Sequence, residues 1–286
     1  VPLPPGTTLP GGEGGARVQP FPLAASVAVA APLSGPPRRV EVAAVTTHAV
    51  YLSTDDPQCP ALCLADPAAV RVPCALVAAR TPHAVTVGDV GTVGTGALTL
   101  ASFEARVARW WRPPRPRGLL AEQLRAVARE LRQRLPAPPD ADADAAVNGL
   151  VRALATGASP TGDVMRLLGS GPGLTPLGDD VLAGALVTLA ALGSPAFVGL
   201  GAAVRTLAPA RTTFVSAALL HHAARGECVP QLHALLTAGR RGCPVAGAVD
   251  ALLDIGDTSG TGLGHGVLAA LAATSQAPAL SGEPRS

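Results

Sequence analysis

Residues 169–180 read GSGPGLTPLGDD, and they hold the densest chemistry in the chain. Thr175 and Pro176 stand in a glycine-rich turn, and the adjacent carboxylates Asp179 and Asp180 follow at once. Proline suits the first turn of a helix, where its missing N–H leaves nothing unpaired, and threonine before it suits the N-cap. Glycines let backbone amides approach a ligand, and the positive end of a helix dipole favours negative charge. The amides around Gly171, Gly173, Leu174 and Thr175 are therefore candidates to grip an anion, with Thr175, Asp179 and Asp180 as candidate catalytic groups. An ordinary glycine turn with acidic helix capping is the plainer alternative. It leaves unexplained why two carboxylates sit directly against VLAGALVTLAAL, a run with no polar face.

Two further clusters have the same form. Residues 255–266, IGDTSGTGLGHG, precede another aliphatic run, VLAALAA. Setting Gly266 beneath Gly184 places Gly260 on Gly178 and Gly262 on Asp180, which suggests an internal repeat. Thr258, Ser259 and Gly260 are the binding candidates here. His265 reads more readily as a packed residue than as a functional one. The last cluster is Arg211-Thr212-Thr213 with Ser216, leading into AALLHHAARGE. An arginine with hydroxyls at a helix start can hold a carboxylate or phosphate, the guanidinium supplying a two-pronged fork. A surface arginine beside an N-cap threonine would look the same. If all three clusters mark helix starts, the turn 171–175, Asp180, Arg211-Thr212 and the turn 256–260 should line one pocket.

The elements that must position these residues change character along the chain. Residues 1–20 are rich in Pro and Gly without periodicity and read as a loose arm. Short runs such as VEVAAV, AVYLS, ALCLA and HAVTVG, each bounded by Pro, Asp or Gly, predict a mainly β unit over 21–112, a small sheet or barrel. Trp110 and Trp111 precede RPPRPRG, a stiff linker, and are expected to cover a seam between domains. Beyond it Leu119, Leu120, Leu124, Val127, Leu131 and Leu135 share one helical face. Further helices are expected at 146–156, 163–168, 180–192, 196–207, 213–225, 229–239, 245–254 and 264–274. The helical domain spans 118–275, and 276–286 reads as a loose tail. The fold class is α+β.

Composition narrows the function. Aromatics make up 2% of the chain, so Ala, Val and Leu must fill the cores. All 22 basic residues are arginine, and with a net charge of +2 no basic stripe with interleaved aromatics appears. No nucleic-acid partner is expected. The apolar stretch 181–200 is broken by Gly193, Ser194 and Pro195, so no membrane span is expected either. Cys59, Cys63, Cys74, Cys228 and Cys243 form no disulfide framework or zinc spacing and read as reduced thiols in a cytoplasmic protein. His221 and His222 share a helix without metal-binding spacing, and His48 and His83 lie in strand-like runs and read as ordinary edge or core residues.

The stretch GSGPGLTPLGDDVLAG resembles the signature of the AllH-like bacterial family. RTTFVSAALLHHAARGE and DIGDTSGTGLGHG are similar to its two weaker motifs. Leu177 replaces the family's serine, Asp257 its histidine and Gly262 its aspartate. The family is associated with the oxamate carbamoyltransferase of allantoin catabolism. The resemblance implies a subunit of a carbamoyl-transfer enzyme that works with partner subunits and self-association left open. Its ligands would be a small anionic substrate, such as oxalurate, and phosphate. In that scheme the 171–175 amides and Arg211 hold the anions. Asp180, accepting from a carbamoyl nitrogen, is joined by Thr175, Thr212, Ser216, Thr258 and Ser259. No cofactor or metal is required. The alternatives are a Mg²⁺-dependent hydrolase using Asp179, Asp180 and Asp257, and a noncatalytic ligand-binding or assembly subunit.

Overall fold

The computed structural model describes residues 20–80, 85–100, 103–138, 141–239 and 244–276. All but the last residue of the expected arm and the first of the expected tail lie outside them, as do His83 and Cys243. The fold is α+β: a closed β-barrel, then a helical half.

The barrel strands are β1 (Phe21–Ser26), β2 (Arg38–Val45), β3 (Ala49–Thr54), β4 (Ala61–Ala65), β5 (Ala75–Val77), β6 (Val90–Gly94), β7 (Ala97–Leu100) and β8 (Phe103–Trp111). They close in the order β1-β5-β4-β3-β2-β6-β7-β8. Closure comes from β1, which pairs antiparallel with β5 and parallel with β8, so the first and last strands meet and leave no open edge. Along β2 burial alternates, with Val40, Val42 and Ala44 inside, as the two-residue period of a strand requires. By contrast β4 is buried on both faces. A 3₁₀ turn (Val27–Val29) and a short helix α1 (Ala30–Ser34) follow β1; neither was legible in the sequence pattern.

The helical half comprises α2 (Ala121–Arg134), α3 (Ala141–Thr156), α4 (Thr161–Leu167), α5 (Leu177–Leu192), α6 (Ala196–Arg211), α7 (Phe214–Ala223), α8 (Pro230–Thr237), α9 (Val245–Leu253) and α10 (Ser259–Gln276). No described helix is long and apolar enough to cross a membrane. From Leu177 to Leu189 every residue of α5 except Ala183 is buried, carboxylates included. The barrel and the helices have separate cores, and Val70 and Val229 pack against both. Leu219 of α7 also reaches the barrel core, which explains the covered outer face of β4. Trp111 packs on the barrel core beneath the Arg71 guanidinium, 5.5 Å from the ring centroid, while Trp110 is exposed.

Helix α10 makes its most extensive contact with α5, and the two run parallel. A Cβ at Gly184 would lie 2.3 Å from the Leu263 carbonyl oxygen, and one at Gly266 would lie 2.1 Å from that of Val181. These contacts are reciprocal under the 82-residue offset of the sequence alignment, so α5 and α10 pack face to face in a symmetric way. That packing also explains why α10 starts at Ser259 and not near residue 264. Glycine disfavours a helix interior by about 1 kcal/mol relative to alanine, but here it lets two backbones touch.

Candidate functional site

Parallel packing brings the starts of α5 and α10 side by side, where Thr175 and Ser259 share a hydrogen bond of 2.9 Å between their hydroxyls. The N-cap of α5 is Pro176 in extended conformation with no side-chain cap, so Thr175 is turned to Ser259 and does not cap. Beside this pair, at the junction of barrel and helices, lies a cavity of about 210 Å³. Its polar lining is Tyr51, Thr175, Asp180, Glu227 and Ser259, and Gly256 closes one side. The remaining walls are aliphatic and come from both halves of the fold.

Asp179 and Asp180 have different surroundings although they are neighbours. The Asp179 carboxylate is engaged at both oxygens: it accepts the Gly169 amide at 3.0 Å and the Thr212 hydroxyl. Burial raises its pKa, and the Thr212 and Gly169 hydrogen bonds work against the rise. In the same knot the Leu174 carbonyl accepts the Thr213 hydroxyl at 2.5 Å and the Ser216 hydroxyl at 3.4 Å. Asp179, Thr212 and Ser216 therefore hold the start of α5 against the start of α7. Asp180 is 7% exposed and faces the cavity. Its Oδ2 is buried without a hydrogen-bond partner. Burial pushes its pKa well above the carboxylate range; hydrogen bonding with Ser259 opposes this, and the Asp179 charge adds to it.

The other sequence candidates divide in the same way. Gly171 and Gly173 are exposed, and Leu174 is half-buried. Arg211 is exposed and does not line the cavity, although its backbone carbonyl packs against Gly169 beside the glycine turn. Thr258 uses its carbonyl to accept the Gly262 amide, and Gly260 is buried against the Leu252 carbonyl. Neither borders the cavity. At Gly262 a Cβ would lie 2.7 Å from that of Asp180, so a side chain there would need the helices to part. His265 is hydrogen-bonded to the Pro136 carbonyl at 3.0 Å and ties α10 to the end of α2. Asp257 is exposed. Among the described residues no group of three or more His, Cys, Asp or Glu is placed to hold a metal ion.

Sequence reasoning missed one wall of the cavity. Glu227 follows the end of α7, is 3% exposed, and accepts from His222 Nδ1 at 2.7 Å and from the Arg115 guanidinium. Arg115 belongs to RPPRPRG, so the supposed spacer is fastened to the helical half by a buried carboxylate. Desolvation would raise the Glu227 pKa, but the His222 and Arg115 hydrogen bonds outweigh it and lower it from 4.5 to about 2. A depressed carboxyl stabilises the fold above its unfolded pKa, and that contribution disappears as pH falls from 4.5 towards 2. Glu227→Ala should cost about 3 kcal/mol at pH 7, since it strands His222 while Arg115 can turn to solvent. Acid melting curves should show a shallower loss of stability over that window in the variant than in the parent; parallel curves would deny Glu227 this role.

No curated protein and no solved structure matches the chain. A family model does, over the segment that builds the α5–α10 pair and the α7 start. Residues 167–271, from the end of α4 into α10, match the family described as oxamate carbamoyltransferase subunit AllH.

Proposed function

We propose that this chain is the AllH-type subunit of a carbamoyltransferase, working with partner subunits, and that the Asp180 cavity receives the carbamoyl group of an N-carbamoyl carboxylate. In the degradative direction a phosphate oxygen attacks the carbamoyl carbon of oxalurate. The carbon–nitrogen bond breaks, giving carbamoyl phosphate and oxamate, and the proton carried by hydrogen phosphate ends on the departing nitrogen. The observation that carries this reading is the unpaired, buried Asp180 Oδ2 beside the Thr175–Ser259 hydroxyl pair, inside a cavity at two helix starts.

Because burial favours the protonated carboxyl, Asp180 suits donation to the leaving nitrogen or the carbamoyl oxygen better than the accepting role expected from sequence. Thr175 and Ser259 orient the same group. The anionic parts of the substrates belong outside, at the exposed residues 171–173 of the turn with Arg211 beside it, because no arginine among the described residues lines the cavity. A hydrolase needing Asp179 as a metal ligand is the weaker reading, since both Asp179 oxygens already accept protein donors. The chain, assembled with its partner subunits, should form carbamoyl phosphate from oxalurate only when phosphate is supplied, and chelators should leave the rate unchanged. Phosphate-independent release of oxamate would refute the transfer reaction.

A further inference from the structure

Oxalurate accounts for only one part of the cavity. Asp180, Thr175 and Ser259 give the cavity one polar cluster; apart from Tyr51, Glu227 and Cys228 the rest of its lining is apolar, including Val70, Val72, Val187, Leu219, Leu232 and Leu263. At about 210 Å³ the space exceeds the ~150 Å³ apolar cavity that holds a benzene. Glu227 adds no vacant charge, since His222 and Arg115 already pair with it. A carboxylate pressed against these walls would lose its water and meet no cation, a cost of several kcal/mol by general desolvation arguments. An aliphatic group would lose nothing and remove its own surface from water.

We propose that the ligand of this cavity is an N-carbamoyl compound carrying a branched aliphatic group of valine or leucine size. This rests on the reading of Asp180 as the carbamoyl site. The carbamoyl group meets Asp180 and the Thr175–Ser259 pair, and the aliphatic group fills the space between the barrel's Val70 and Val72 and the helical Val187, Leu219 and Leu232. The ligand's carboxylate stays at the mouth, towards the exposed glycine turn. Both halves of the fold therefore take part in choosing the substrate, which gives the barrel a role in specificity.

The test is a calorimetric series on the full chain, alone and with its partner subunits, using N-carbamoylglycine, N-carbamoylalanine, N-carbamoylvaline, N-carbamoylleucine and oxalurate. The carboxylate is common to the four amino-acid derivatives, so their differences report the cavity. Burying a methylene is worth about 0.8 kcal/mol, so affinity should rise roughly fourfold per added carbon, or about sixtyfold from the alanine to the leucine derivative. Val70→Phe, and independently Ala183→Leu, which also lines the cavity from α5, should flatten the series by filling the space the larger side chains need. Equal affinities across the series, tighter binding of oxalurate than of N-carbamoylleucine, or no binding of any member would overturn the proposal. Oxalurate phosphorolysis with a flat series would overturn the aliphatic preference and leave carbamoyl transfer standing. Graded binding without phosphorolysis of any member would do the reverse.

Discussion

Leu182→Asp should unfold the helical half under conditions where the parent chain is fully native. Leu182 is completely buried in α5, within the one cluster that gathers residues from α2 through α10. Its surroundings are aliphatic, and the nearest polar groups on its own helix, Asp179 and Asp180, are themselves acidic. A carboxylate placed there has no partner, so it must either stay charged without water or take up a proton against its normal pKa. Either costs several kcal/mol, against a total stability of about 5–15 kcal/mol for a typical domain. With about 2–4 °C of melting temperature per kcal/mol at this size, the midpoint should fall by roughly 10–20 °C, with loss of helical circular dichroism. Leu182→Met keeps the volume and should cost less than about 1.5 kcal/mol. Equal melting of Leu182→Asp and the parent would show that α5 does not carry the helical core.

The legibility of α5 and the opacity of its partner have a common physical origin. An aliphatic run with no polar side is readable because only burial can accommodate it, and Val181, Leu182, Leu186, Val187 and Leu189 leave no other place for the helix. The start of α10 is the opposite case. Propensity disfavours a helix through SGTGLGHG, and what rescues it is contact with α5, which no local window contains. The barrel divides similarly: alternation reveals strands such as β2, but closure depends on β1 lying parallel to β8 across most of that domain. Glu227 stayed hidden because Arg115 stands 112 residues away and was read as part of a spacer. The candidate site was half legible. The motif located both aspartates, but only the fold shows that Asp179 is engaged by Gly169 and Thr212 while Asp180 has an oxygen with no partner.

Asp180→Asn should cut turnover by about a hundredfold to a thousandfold, within the usual contribution of a positioned proton donor, yet leave the fold at least as stable. Asp180 is a liability to folding: it is 7% exposed, one oxygen has no partner, and burial holds its pKa well above that of the unfolded chain. A raised carboxyl means the folded state binds more protons than the unfolded one. Its contribution to stability is therefore favourable at low pH and is lost as pH rises through the unfolded value towards the folded one. Asparagine cannot ionise, so the variant should lack this decline and melt at or above the parent at neutral pH. Its amide keeps the size of the group and a donor towards the cavity but has no proton to transfer to the departing nitrogen. Anion binding at the glycine turn should be unchanged, since Arg211, Gly171 and Gly173 do not line the cavity; Arg211→Ala should show the converse, weaker phosphate binding with less effect on the maximal rate. The decisive pairing is kinetics with melting over pH. A variant that loses activity together with stability would make Asp180 a structural residue, whereas lost turnover with a flatter, higher stability profile would mark it as a group kept for chemistry at the expense of the fold.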